Sequence, residues 1–130
     1  MPVRVILDSN FLMIPIHFHI DIFRELDELL NQKVETVIPS PVYEEIQRIA
    51  RGKSKLAKEA KLALKIAEKS EVLEVKLGPG ESTDDLITRL AREWGCLVAT
   101  NDRELRRRLR SLMVPVIYLR QKSRLAIEGL

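Results

Sequence analysis

Residues 3–12, VRVILDSNFL, combine a short apolar segment with an abrupt change to polar side chains. Val3 to Leu7 are aliphatic except for Arg4, which is typical of a strand buried on both faces in the centre of a parallel sheet. Asp8 follows at once, with two further polar residues behind it. Open α/β sheets bind ligands beyond the carboxyl ends of their strands. The stretch therefore predicts a central strand with a chemically active carboxylate at its end.

The composition is that of a single globular domain over residues 1–130, which is long enough to bury its own core. Hydrophobic residues make up 45% of the chain and charged residues 32%, and no apolar run approaches the roughly 18 residues of a membrane span. The first residues contain no basic leader followed by an apolar segment, so we expect a cytoplasmic protein without membrane contact. The single cysteine, Cys96, excludes an internal disulfide.

The net charge of +3 is unevenly distributed along the chain. Residues 1–100 contain 14 Lys and Arg against 16 Asp and Glu, whereas residues 101–130 contain 8 against 3. Such asymmetry indicates a polyanionic partner such as nucleic acid. Residues 52–70 predict a further basic element, a lysine-studded helix, whose charges suit either solvent or a phosphate backbone.

Strand-like and helix-like patterns alternate along the chain, which predicts a parallel sheet covered by helices on both faces. The predicted strands cover residues 3–7, 34–38, 72–77, 97–100 and 116–119. The predicted helices cover residues 21–31, 41–49, 52–70, 83–94 and 103–112. Pro15 predicts a connector over residues 13–17, and residues 121–130 are predicted to form a basic tail.

Helical spacing predicts which side chains face the core and how the helices begin. Ser40 is expected to cap the helix that starts at Pro41, because serine accepts from the free N–H groups of a first turn. The apolar stripes place Ile49, Leu56 and Leu112 on buried faces.

The same helical angles select one acid from each of two adjacent pairs. Glu45 lies on the edge of the apolar face of its helix, whereas Glu44 points to solvent. Asp84 likewise lies on the core side, whereas Asp85 is predicted to close a capping box with Ser82. An acid beside a core face is costly unless something satisfies it, so Glu45 and Asp84 are candidates for lining a cleft.

The segment Leu97 to Asp102 repeats the pattern of the opening stretch. An apolar strand ends at Thr100 and runs into Asn101 and Asp102. Asn101 can cap the following helix, and an acid in a first turn favours the helix dipole, so Asp102 on its own has an adequate structural explanation.

Right-handed connections bring four carboxylates to one edge of the sheet, those of Asp8, Glu45, Asp84 and Asp102. Acids packed together require a hard divalent cation, and oxygen ligands without histidine or cysteine indicate Mg²⁺ or Mn²⁺ rather than Zn²⁺. Such an ion can activate water, hold a phosphate and neutralise the leaving oxygen. Nearby arginines would position a polyanionic substrate. The candidates are Arg103, Arg106, Arg107 and Arg110.

Four segments of the chain resemble PIN-domain ribonucleases, and more narrowly the archaeal relatives of small-subunit rRNA-processing PIN proteins. The segments are LDSNFLMIP at 7–15, PSPVYEEIQRI at 39–49, TDDLITRLA at 83–91, and VATNDRELRRRLR at 98–110, followed by VPVIYLR at 114–120. The resemblance covers nearly the whole chain. It implies a three-layer α/β/α sandwich with a mostly parallel sheet and a Mg²⁺- or Mn²⁺-dependent endoribonuclease.

The resemblance also implies roles for the acids of the motifs and for the polar residues beside them. It makes catalytic metal ligands of Asp8, Glu45, Asp84 and Asp102. It gives a supporting role around those ligands to Ser9, Asn10, Thr100 and Asn101. Ser9 stands where the family usually has threonine, and a simple turn-forming role remains the alternative for Ser9 and Asn10.

Several functions fit these motifs. The resemblance favours cleavage of precursor rRNA or small-subunit maturation, whereas a VapC-type toxin ribonuclease uses the same acids. A non-catalytic RNA-binding assembly factor would keep the fold and the basic end. A homodimer, ribosome assembly factors and an antitoxin stay open as partners. A phosphatase with a nucleophilic Asp8 fits less well, because Asn10 stands where its second aspartate would be required.

Overall fold

The computed structural model describes residues 2–130, which form one six-stranded sheet and six α-helices. The strands are β1 (Val3–Leu7), β2 (Val34–Pro39), β3 (Glu71–Leu73), β4 (Leu97–Ala99), β5 (Val116–Arg120) and β6 (Arg124–Glu128). The helices are α1 (Ile14–Phe18), α2 (Ile22–Leu30), α3 (Ser40–Ala50), α4 (Lys55–Ala67), α5 (Thr83–Trp94) and α6 (Arg103–Ser111). A 3₁₀ helix, Ser9–Met13, joins β1 to α1.

The sheet has the strand order β3-β2-β1-β4-β5-β6. All neighbouring strands are parallel except β5 and β6, which confirms the prediction of a mostly parallel sheet. From β1 the chain proceeds through β2 to β3 at one edge, and from β4 it proceeds through β5 towards the other. Because such connections are right-handed, α1 to α4 cover one face and α5 and α6 the opposite face. The direction in which successive strands are added to the sheet therefore reverses between β1 and β4. Open α/β sheets bind their ligands at such a point.

The opening strand lies in the centre of the core, as its sequence predicts. Val5, Ile6 and Leu7 are fully buried and belong to one continuous hydrophobic cluster with residues of both helical layers. Burying side chains of this size contributes about 1.5–3 kcal/mol each. The rigidity of this strand fixes the position of Asp8, the residue that follows it.

Three predicted secondary-structure assignments are wrong. Residues 13–17 are not a connector, because α1 accommodates Pro15 in its first turn, where a missing N–H costs no hydrogen bond. Residues 121–130 are not a tail, because β6 pairs antiparallel with β5. The predicted strand over residues 72–77 is shorter, since β3 ends at Leu73.

The helix details also differ from the sequence expectation. Ser40 is not an N-cap; its Oγ accepts from the N–H of Val75 and donates to the carbonyl of the same residue, each at 3.1 Å, and so ties the segment after β3 to α3. Three expected core residues are instead exposed by 42%, 50% and 37%, namely Ile49, Leu56 and Leu112. Alanines such as Ala50 and Ala57 take the buried positions, since α3 and α4 approach closely over small side chains.

Candidate functional site

Asp8 and Asp102 follow the two central strands at the point where the chain direction reverses. Asp8 comes directly after β1, and its Oδ1 accepts from the backbone N–H of Ser9 at 2.8 Å. Asp102 caps α6, because its Oδ1 accepts from the backbone N–H groups of Glu104 at 2.9 Å and Leu105 at 3.0 Å. Asp8 is only 6% exposed. A nearly buried carboxylate therefore stands at the ligand-binding edge of the sheet.

A hydrogen-bond network fixes the orientation of the Asp8 carboxylate. Its Oδ2 accepts from the Thr100 hydroxyl at 2.8 Å and from the side-chain amide of Asn10 at 3.1 Å. The Oδ1 of Asn10 accepts from the backbone N–H of Asn101 at 3.0 Å, and the Thr100 hydroxyl oxygen accepts from that of Asp102 at 3.1 Å. The ends of β1 and β4 are thus joined through side chains.

The four predicted supporting residues lie around Asp8, but each acts in its own way. Ser9 contributes its backbone N–H, and Asn10 and Thr100 contribute side chains. Asn101 does not cap α6 as expected; its Oδ1 accepts from the backbone N–H of Leu119 at 2.8 Å and so links the site to β5. The capping role belongs to Asp102.

Glu45 enters the site from the second turn of α3, and Asp84 enters it from the first turn of α5. Both are half-buried, whereas Glu44 is exposed. The Oε2 of Glu45 accepts from the Thr83 hydroxyl at 3.3 Å, a contact between α3 and the start of α5 that the sequence does not indicate. The helical angles therefore predict correctly that Glu45 lies inward and that Glu44 faces solvent.

Asp85 has the structural role that the sequence predicts for it. Ser82 and Asp85 form a reciprocal capping box at the start of α5. Asp85 also accepts from Arg108 at 2.6 Å, and Ser82 together with this arginine lowers the pKa of the Asp85 carboxyl. Arg108 lies near the acids but is not among the arginines predicted from the sequence. Nothing in the arginine run of α6 distinguishes it from its neighbours.

The acids interact electrostatically across the edge of the sheet. Burial raises the pKa of Asp8, and the carboxylates of Glu45 and Asp102 raise it further, while hydrogen bonds from Thr100 and Ser9 act in the opposite direction. Burial also raises the pKa of Asp84, with the charges of Asp8 and Asp102 adding to it and Arg108 opposing. The ionised forms are therefore destabilised by one another.

Oxygen donors in this arrangement suit a hard divalent cation, which would relieve the mutual repulsion of the acids. The donor set contains no histidine or cysteine, the ligands that zinc usually prefers. Within residues 2–130 no three or more His, Cys, Asp or Glu side chains already form a closed metal-binding group. The acids of the described residues therefore interact through their charges rather than as a preformed ion-binding group.

The four arginines predicted to contact a polyanion line one cleft of about 400 Å³ together with Glu128. Arg106 stacks on the ring of Tyr118 at 4.1 Å, and its Nε lies 4.0 Å from Oε2 of Glu128. The Nε of Arg110 lies 3.7 Å from Oε1 of the same carboxylate. Arg103 and Arg107 are exposed. Two of the arginines are therefore held by β6, and two project from α6.

The chain is similar to known proteins in both sequence and structure. The family described as a PIN like domain matches residues 5–122. The chain belongs to the PIN-domain family. Ribonuclease VapC4 of Methanocaldococcus jannaschii is 34% identical over 98% of both chains. Ribonuclease VapC9 of Archaeoglobus fulgidus is 31% identical over 95% of this PIN domain and 87% of its own length.

A second branch of relatives carries names from rRNA processing. The mouse rRNA-processing protein FCF1 homolog is 29% identical over 91% of this PIN domain, which spans 58% of that protein. The solved structure of the PIN domain endonuclease Utp24 superposes with a TM-score of 0.82 at 31% identity, covering 99% of this chain and 93% of that one. The predicted family and fold are therefore confirmed. No helix within residues 2–130 has the length and apolar character needed to cross a membrane.

Proposed function

We propose that this PIN domain is an endoribonuclease that depends on Mg²⁺ or Mn²⁺. The observation that carries the proposal is the nearly buried Asp8, placed where the sheet reverses direction and electrostatically coupled to Glu45, Asp84 and Asp102. Such a group of acids is costly to keep together, since each ionised member disfavours the others, although Asp102 also caps α6. Its retention is explained if the acids bind a cation that takes part in phosphodiester hydrolysis.

In this proposal the four acids hold the cation, and Thr100 and Asn10 keep the Asp8 carboxylate oriented. The cation, when bound, supplies positive charge to the scissile phosphate and makes the attacking water more acidic. An acid that retains a free oxygen orients that water in line with the leaving group. The arginines of α6, with Arg103 and Arg107 exposed, bind the RNA backbone beside the acids.

The substrate that we propose is RNA, with precursor rRNA of the small subunit as the first candidate. The similarity to the mouse rRNA-processing protein FCF1 homolog over 91% of this chain supports this choice. VapC4 is similarly alike over its full length and supports a toxin ribonuclease as the second candidate. We propose assembly factors as partners in the first case and an antitoxin in the second.

Cleavage assays on the full chain test the nuclease proposal. Precursor rRNA incubated with Mn²⁺ or Mg²⁺ should be cut by the native protein and not by Asp8→Asn, and EDTA should stop the reaction. Two matched pairs test the acids: Glu45→Gln and Asp84→Asn should lose activity, whereas Glu44→Gln and Asp85→Asn should keep most of it. Equal cleavage by native protein and Asp8→Asn would reveal a contaminating nuclease and refute the proposal. Tight binding without cleavage would indicate an assembly factor.

Mapping the 5′ ends of the products in total RNA separates the two substrates. A single cut in precursor rRNA supports processing, and cuts spread over other RNAs support a toxin.

A further inference from the structure

A small apolar groove lies beside the Asp8 loop and is used by none of the roles assigned above. Its volume is about 90 Å³ and it is open on one side. Its walls come from the turn after Asp8 and from the facing surfaces of α3 and α4. The lining residues are Ser9, Asn10, Met13, Ile46, Ile49, Leu56 and Ala60. The groove therefore continues directly from the acidic site.

Two aliphatic side chains of this groove are exposed to solvent. Ile49 is 42% exposed and Leu56 is 50% exposed, although both occupy positions that helical spacing assigns to the core. Aliphatic side chains exposed next to a site are candidates for contact with the flat face of a ligand. They stand at the end of α3 and the start of α4, on either side of the turn between these helices.

The turn around the groove is strongly basic. Residues 48–58 contain five Lys or Arg residues and no Asp or Glu. All five side chains are exposed, and none forms an ion pair with a carboxylate of residues 2–130, in contrast to Arg106 and Arg110, which face Glu128. The five are Arg48, Arg51, Lys53, Lys55 and Lys58. This segment, named here the basic turn, is thus available for an external polyanion.

We infer that the groove binds one nucleobase of single-stranded RNA close to the scissile phosphate, while the basic turn contacts the flanking phosphates. The inference deepens the proposed ribonuclease function and rests on it. A base offers flat apolar faces to Ile49 and Leu56, and contact between these surfaces removes apolar area from water whichever base is bound. The RNA would then run from the arginines of α6, across the acids, to the basic turn.

A protein helix is the other occupant to consider, and the groove favours RNA over it. An amphipathic helix is anchored by apolar residues over several turns, which requires a groove of matching length. Here the opening holds about 90 Å³ and is bordered by five cations without acids. Charge complementarity therefore selects a polyanion.

A double-mutant cycle between protein and RNA tests the inference. A short single-stranded oligoribonucleotide is prepared intact and with one abasic nucleotide at each position around the cut. With native protein, one abasic position should raise KM about tenfold, as expected for the loss of about 55 Å² of buried apolar surface at about 25 cal/mol per Å². Leu56→Ser should raise KM for the intact RNA by a similar factor, and the abasic nucleotide should then add nothing.

Leu62 supplies the matched control, because it lies on the same helix and is 49% exposed but does not line the groove. Leu62→Ser should leave KM unchanged, and thermal unfolding should show that both variants are folded. Additive effects of Leu56→Ser and the abasic nucleotide would overturn the inference. So would light scattering that shows a native dimer dissociated by Leu56→Ser, since the groove would then be a protein interface.

Kd values measured by fluorescence anisotropy with the same proteins and oligoribonucleotides distinguish failure of this inference from failure of the proposed function. If the native chain binds RNA without cutting it, the nuclease proposal fails, while coupling between Leu56 and one base in Kd still supports the groove. Cleavage without any coupling in KM or Kd supports the nuclease and refutes the groove.

Discussion

Thr100 donates a hydrogen bond of 2.8 Å to Oδ2 of Asp8, and this buried contact joins the ends of β1 and β4 across 92 residues of sequence. The backbone N–H of Ser9 and the side-chain amide of Asn10 also donate to the Asp8 carboxylate. Asp8 is nearly buried and costly to ionise, and the Thr100 hydroxyl is one of the donors that lower this cost. The contact therefore couples the fold of the sheet to the charge of the site.

Replacement of Thr100 by valine should weaken both stability and activity. Thr100→Val keeps the shape but removes a donor to a buried carboxylate, so unfolding by urea should show a loss of about 2 kcal/mol. Cleavage at neutral pH should fall because Asp8 is less readily ionised and less well oriented. Thr36→Val, which removes the 2.7 Å contact between Thr36 and Ser70 hydroxyls, is the control and should affect stability alone. Unchanged activity in Thr100→Val would contradict the positioning role.

The raised pKa values of Asp8 and Asp84 predict a characteristic pH dependence of stability in metal-free buffer. Each carboxyl has a folded-state pKa above its ordinary value of 3.8. In the window above 3.8 the folded state binds more protons than the unfolded state, so these groups make the free energy of unfolding decrease as pH rises. The difference between native protein and Asp8→Asn, measured by urea unfolding from pH 4 to 7, should show this decrease. A difference independent of pH would refute the prediction.

Binding of a divalent cation should reverse the loss of stability that ionisation of Asp8 and Asp84 causes. A ligand that binds the folded state alone stabilises it by about 2.7 kcal/mol when its concentration is 100 times Kd. Titration with Mn²⁺ or Mg²⁺ should therefore raise the Tm of the native protein and leave that of Asp8→Asn nearly unchanged. NaCl at equal ionic strength controls for general screening. An equal rise in both proteins would show that the acids do not bind the ion.

Much of the site could be predicted from the sequence because it follows strands and helix starts with clear periodicity. Asp8 ends an apolar run, and helical angle distinguishes Glu45 from Glu44 and Asp84 from Asp85. Arg108 and Thr83 were missed because their contacts join separate elements. Local patterns do not encode such pairings.

The errors in the fold have equally local causes. The hairpin between β5 and β6 turns at Gln121 and Lys122, which have φ of 54° and 59°. Residues with positive φ are usually Gly, Asn or Asp, so Gln121 and Lys122 do not indicate a turn. Without a turn signal, the sequence predicts a tail where β6 forms. The spacing of Leu56 in the sequence predicts that it faces the core. The close contact of α3 with α4 instead places the smaller Ala57 in the buried position.

Glu81 should make the protein sensitive to acid. Arg89 binds its carboxylate through two contacts of 2.9 and 3.0 Å and, with the N–H of Gly78, lowers the pKa of Glu81 from 4.5 to about 2. A lowered folded-state pKa stabilises the protein above pH 4.5, and this contribution is lost as pH falls from 4.5 to about 2. Thermal unfolding should show a smaller loss of Tm on acidification for Glu81→Gln than for native protein. Glu93→Gln, which lacks only the 3.7 Å contact to Arg89, is the control and should behave as the native protein.

Glu128 occupies the arginine cleft in the way that an RNA phosphate would, and its removal should strengthen RNA binding. Its carboxylate lies 4.0 Å from Arg106 Nε and 3.7 Å from Arg110 Nε. These ion pairs are partly exposed and contribute at most about 1 kcal/mol to stability, so Glu128→Gln should fold normally. With both guanidinium groups released, the Kd for single-stranded RNA should fall, and the slope of log K against log salt should steepen by about 0.7 for each added phosphate contact.

The exposed arginines of the same cleft should change binding in the opposite direction. Arg103→Gln and Arg107→Gln remove cations that no carboxylate within residues 2–130 pairs with, so each should make the salt slope shallower by about 0.7. Arg92→Gln on α5 removes an exposed cation that does not line this cleft and should leave the slope unchanged. Salt titrations followed by anisotropy measure all four variants. If Glu128→Gln weakens binding, the carboxylate must be orienting Arg106 and Arg110 for RNA, because loss of a negative charge alone can only favour a polyanion.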